Sequence, residues 1–141
     1  MKRIICICVT FIMLSLVGCS TKEIYELKEP QENIKSIEIG VMEEFTGSFE
    51  SVKFLSESEI SYFLEELKGI EFNSFFIGAP PDVYGLTVKI TYYDETYEVI
   101  CDHWSQYVVD GRHKEGWRRC EKEDFENLIS KFYDIESDDE S

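Results

Sequence analysis

The sequence predicts an α+β domain, an antiparallel sheet with two amphipathic helices packed on one face. Three patterns lead there. Leu86, Val88, Ile90 and Tyr92 alternate with Thr87, Lys89, Thr91 and Tyr93, the period-two signature of a half-buried strand. Ile60, Phe63, Leu64 and Leu67 fall on one helical face. Phe125, Leu128, Ile129 and Phe132 do the same near the other end of the chain.

Taken in order, residues 20–33 (STKEIYELKEPQEN) are polar, carry Pro30 and read as a tether, on which Ile24, Tyr25 and Leu27 offer docking points for the domain. Fully extended, such a tether reaches about 50 Å. Residues 34–40 (IKSIEIG) and 49–55 read as strands around a turn at Gly47. Ser56 and Glu59 form a capping box that opens a helix over residues 57–68, and Gly69 is placed to close it in a left-handed cap. Residues 70–77 are strand-like until Pro80 and Pro81, which cannot join a central ladder. The strand ending at Tyr93 turns at Asp94 and Glu95 and returns over residues 96–101 as a hairpin. Residues 107–109 and 116–119 are shorter strands around a polar loop, 110–115. Glu121, Glu123 and Asp124 suit the first turn of the second helix through its macrodipole. The expected organisation is a leader over 1–18, Cys19 and its tether over 19–33, one domain over 34–133 and an acidic tail over 134–141.

The leader begins with Lys2 and Arg3, followed by an apolar run from Ile4 to Val17 broken only by Thr10 and Ser15. At about 14 residues this run has the length of a secretion-signal core and is short of the roughly 20 a spanning helix needs. It ends in Leu16-Val17-Gly18-Cys19. That quartet resembles the lipobox of bacterial lipoproteins, and the general layout of the chain resembles small lipoproteins of unassigned function from Gram-positive bacteria of low G+C content. The resemblance implies that Cys19 is alkylated with a diacylglyceryl group and becomes the first mature residue after cleavage at Gly18. It also implies a partner, the cell membrane, reached through the acyl chains on the extracytoplasmic face. Two or more chains, at about 0.8 kcal/mol per buried CH₂, hold stably where one does not.

Charge narrows the other partners. The formal net charge is −15, and losing Lys2 and Arg3 with the leader takes it to −17. No nucleic acid is expected, because phosphate binding needs a basic patch. Anionic lipid headgroups would repel the chain, and the acidity keeps it soluble.

Little in the sequence points to catalysis. Cys101 and Cys120 are the mature thiols other than Cys19. Outside the cytoplasm they would either pair, closing a loop of about 19 residues worth about 3 kcal/mol, or stand as separate core thiols. His103, His113, Asp102 and the two cysteines match no zinc spacing, so no metal is expected. A Cys–His pair lacks a third, orienting group, and neither a serine nucleophile elbow nor a glycine-rich phosphate loop is present, so no catalytic set and no cofactor are expected. The aromatics are more informative. Trp104, Tyr107 and Trp117 gather with Arg112, His113, Lys114, Arg118 and Arg119, the densest positive cluster of an acidic chain. They suggest a contact surface for a protein, peptide or envelope glycan. The competing reading makes the same aromatics core and cross-strand pairs. The expected function is a membrane-anchored binding or accessory module. The alternatives are an inhibitor-like cover for a secreted enzyme and an envelope hydrolase.

Overall fold

A computed structural model of the chain describes residues 22–44, 46–75, 84–113 and 117–134, with the backbone alone for Phe75, His113 and Trp117. Among these, nine strands form one antiparallel sheet. They are β1 (Lys22–Ile24), β2 (Ile34–Met42), β3 (Phe49–Phe54), β4 (Glu71–Phe75), β5 (Gly85–Tyr92), β6 (Tyr97–Cys101), β7 (Trp104–Val109), β8 (Arg112–His113) and β9 (Trp117–Arg119). The helices are α1 (Glu57–Leu67) and α2 (Lys122–Ser130). The strand order is β1-β4-β9-β7-β6-β5-β2-β3, with β8 paired to β7. The class is therefore α+β, as the alternation and the two helical stripes predict.

The capping box forms as the sequence indicates. The Ser56 hydroxyl accepts the Glu59 amide, and the Glu59 carboxylate accepts the Ser56 amide at 2.8 Å. The other end of α1 differs from expectation. Gly69 is not left-handed; the Gly69 amide donates to the Glu66 carbonyl at 3.0 Å and that of Ile70 to Leu67 at 3.1 Å. This tight i to i−3 closure takes buried Ile70 straight into the core, so no left-handed residue is needed.

Two turns reset the C-terminal strands. Cys101 pairs with Trp104 across Asp102 (φ 42°) and His103 (φ 69°). Val109 pairs with Arg112 across Asp110 (φ 51°) and Gly111 (φ 68°). Two consecutive positive φ angles make each a primed hairpin turn, whose twist matches that of the flanking strands. The strand expected at residue 107 thus starts at Trp104, and the expected 110–115 loop begins as a tight hairpin. Lys114, Glu115, Gly116 and the 135–141 part of the acidic tail lie outside the described residues, as do the expected leader and Cys19.

One core joins the sheet to both helices. Ile37, Ile39, Val88, Ile90 and Ile100 pack with Phe63, Leu64 and Leu67 of α1 and with Phe125, Leu128 and Ile129 of α2. Lys53 ties β3 to both helical regions, donating to Glu59 at 2.7 Å and to the Phe132 carbonyl at 2.6 Å. The segment read as a tether to residue 33 is taken up by the sheet from Lys22, where β1 pairs with β4, and Tyr25, one of the expected docking points, is buried in the core. Lys22, Glu23 and Ile24 are all exposed in β1, which is why composition resembles a linker there. Backbone pairing to residues 71–73 holds it.

Candidate functional site

Glu98 sits mid-strand in β6, in phase with Ile100, and faces Ile90 across the β5–β6 ladder. Strand alternation therefore aims its carboxylate into the core, where it is 1 % exposed. A buried carboxylate is tolerated only when its oxygens are satisfied. Here the hydroxyls of Tyr25 and Tyr92 donate to it, one to each oxygen. The Lys28 amide donates to Oε1 at 2.7 Å. Arg118, opposite Ser105 on β9, brings its guanidinium to 3.9 Å from Oε2. The same guanidinium lies over the Tyr25 ring, 4.5 Å from its centroid, and near the Glu26 carbonyl at 3.5 Å. The result is a clasp. Groups from residues 25–28, from β5 and from β9 converge on one carboxylate of β6.

Burial, then the charge of Glu98, pushes the Tyr25 hydroxyl well above the ordinary tyrosine range, against the pull of Arg118. Burial and Glu98 raise Tyr92 in the same way. The sign of the linkage follows. Both groups bind their protons more tightly folded than unfolded, so their contribution is complete below the unfolded value near 10 and is lost as pH rises toward the folded values. Alkaline titration of stability should fall above pH of about 10 with a slope that Tyr25→Phe reduces, by up to about 1.4 kcal/mol per pH unit for one proton. An unchanged slope in urea unfolding at stepped pH would refute the assignment.

Next to the clasp lies a cavity of about 310 Å³. Tyr25, Leu27 and Pro30 form one wall, and Leu64 and Leu67 of α1 the other. Its polar lining is Glu26, Glu29, Gln31 and Lys68, of which Glu26, Gln31 and Lys68 are exposed at the mouth. Tyr25 belongs to both features: its hydroxyl serves Glu98 and its ring, 4.9 Å from that of Phe72, backs the cavity. Pro30 and one turn of 3-10 helix, Gln31–Asn33, return the chain to β2.

The contact surface expected from the sequence is divided by strand parity. Tyr107 faces Glu98 and packs on the main core, whereas Trp104, three residues earlier in β7, lies on the opposite side, opposite Cys101. Trp104 is half-buried, with the Arg119 guanidinium 5.4 Å from its ring centroid. Arg118 corrects the expectation most clearly: its side chain is 14 % exposed and belongs to the clasp. Arg112 is exposed, and the side chains of His113 and Trp117 lie outside the described set.

Cys101 and Cys120 are both free and buried, so the disulfide alternative is not formed here. Parity gives the reason. Ile100 shares the core with Cys120, so Cys101, its neighbour in the strand, points to the other side. The Cys120 thiol donates to the His103 carbonyl at 3.5 Å. Burial pushes Cys101 up to about 11 and Cys120 up to about 12. Thiols so held are not nucleophiles near neutral pH. Among the described residues no group of three His, Cys, Asp or Glu is placed to hold a metal ion, and no helix is long and apolar enough to cross a membrane.

Sequence reasoning passed over Glu98. The signal was present, since a charge in phase with Ile100 in a predicted hairpin strand must be buried with partners or break the apolar face. No family model, no curated protein and no solved structure matches this chain.

Proposed function

We propose that the protein is an extracytoplasmic lipoprotein, anchored to the cell membrane through Cys19, that acts as a small binding module. Its binding site is the cavity between residues 25–31 and α1. The cavity carries this reading. Its volume of about 310 Å³ falls at the lower end of the roughly 300–1,000 Å³ of small-ligand sites. An apolar wall with two carboxylates, Glu26 and Glu29, against the single cation Lys68 suits an aliphatic group that bears or adjoins a positive charge. A basic segment of a protein or peptide partner fits that chemistry, in keeping with the net charge of −17 after loss of Lys2 and Arg3. An envelope glycan fits it less well, because the wall offers one ring for stacking, Tyr25. The same reading places both helices on one face of the sheet. The helical core residues share a cluster with Val88, Ile90 and Ile100, while Val99, Cys101 and Val108 are buried apart from it.

The test uses the lipidated full chain in its own membrane, with a photo-crosslinking residue at Gln31. A discrete crosslinked neighbour is expected, lost on filling the cavity with Leu64→Trp and weakened by the charge reversal Glu29→Lys. Crosslinks that both variants leave unchanged, with the thermal midpoint of Glu29→Lys intact, would remove the cavity from the binding site.

A further inference from the structure

Resting on the anchoring of Cys19 just proposed, we infer that the β1 edge of the sheet is held at the bilayer surface, with the β3 end of the strand order turned away from it. A long tether would leave the domain free to turn. The sheet, however, takes up the chain at Lys22, three residues after Cys19, because β1 is paired to β4 from that residue onward. Three residues span at most about 11 Å even when fully extended. A domain of this length has a radius of gyration of about 13 Å. The link is therefore shorter than the body it holds, and the N-terminal end of β1 stays within about 11 Å of the acylated residue.

The position of β1 makes this an edge contact. β1 ends the strand order, with β4 on one side and no further strand on the other among the described residues. Lys22 and Glu71 form an ion pair at 2.9 Å, and Ile24 is 62 % exposed. A paired charge and an exposed aliphatic group suit the headgroup region of a zwitterionic bilayer, whereas the acidic surface opposes an anionic one. A consequence follows for the cavity. Its wall begins at Tyr25, within about 20 Å of the anchor along the chain, so its partner is met at the membrane surface.

The experiment reconstitutes the lipidated full chain in phosphatidylcholine vesicles containing a quencher on the lipid headgroup. A fluorophore is placed at Ile24→Cys and, separately, at Val52→Cys on β3, the other end of the strand order. Quenching at position 24 should exceed that at position 52 several-fold. A Gly/Ser insert of about 12 residues before Lys22 adds roughly 20 Å of flexible reach and should collapse the difference. Equal quenching at the two positions, or a difference the insert leaves intact, overturns the length argument. Mass spectrometry of the same sample reads the acyl mass separately. Its absence overturns the anchoring and the orientation with it, whereas equal quenching with the acyl mass present overturns the orientation alone.

Discussion

Glu98→Ala is expected to lower the folding free energy by about 3–5 kcal/mol, the range for removing one partner of a buried ion pair. The loss has three sources. Arg118 keeps a side chain that is 14 % exposed but no longer has a carboxylate at 3.9 Å. The Tyr25 and Tyr92 hydroxyls lose their acceptor inside the core. The Lys28 amide loses its acceptor at 2.7 Å. Each orphaned buried donor costs about 1–3 kcal/mol, and the costs overlap because the groups share one site. Glu98→Gln keeps the shape and one carbonyl oxygen, so its cost should be smaller. Urea unfolding decides the magnitude through the midpoint, at unchanged slope. Hydrogen exchange decides the mechanism. If Glu98 holds residues 25–28 to the sheet, the Lys28 amide should lose protection in Glu98→Ala well before the β5 and β6 amides. A midpoint shift of a few tenths of a molar with Lys28 protection intact would show that the clasp is not what holds the segment.

The clasp also joins fold to proposed function. Residues 25–31 form one wall of the cavity, and the hydrogen bonds from Tyr25 and Lys28 to Glu98, with the Arg118 contact to the Glu26 carbonyl, fix that wall to the sheet. Loosening it should degrade binding at the cavity before the rest of the domain unfolds, since locally opened segments sit at the low end of the stability range.

The sequence made the regular elements legible and left the convergent ones hidden. Ser56 with Glu59 and the alternation ending at Tyr92 are local patterns, read within a few residues, and both appear in the structure as expected. β1 escaped because its three residues, two of them charged, are all exposed; its order comes from β4, some fifty positions later, as Lys22 opposite Asn73 shows. The start of β7 at Trp104 escaped for a different reason. A turn with positive φ at Asp102 and His103 contains no glycine to announce it. Arg118 looked like surface charge because neighbouring arginines in a strand point to opposite faces. Arg119, on the other face, stacks on Trp104, while Arg118 turns inward to Glu98. Which of two adjacent arginines is buried depends on the register of β9 against β7, a tertiary fact.

Gly40→Ala is the second large effect. Gly40 stands in the middle of β2, between Ser51 of β3 and Thr87 of β5. Helical and strand propensities make an interior glycine a weakness, and residues 34–40 read as a strand that ends there. The strand instead continues to Met42, and the β2–β3 register shifts between Ile39 and Gly40. At that irregularity the β3 backbone comes close. A Cβ on residue 40 would lie 2.0 Å from the Glu50 carbonyl oxygen and 2.8 Å from Cε2 of Phe49. The phenyl ring can turn about its side-chain torsions, but the carbonyl is part of the chain and cannot shift without opening the ladder. Relief therefore requires β3 to peel from β2 around the irregularity, at the upper end of the roughly 1–3 kcal/mol typical of overpacking. Because φ at Gly40 is not in the left-handed region, the penalty is steric alone and should grow with side-chain size. Gly40→Val should then cost more than Gly40→Ala, although valine favours strands. Amide exchange should show the loss concentrated in the Ser51 and Lys53 region of β3, with α1 and β6 protected as before. A stability gain from either substitution would mean that the close approach of β3 at this point is absent in solution.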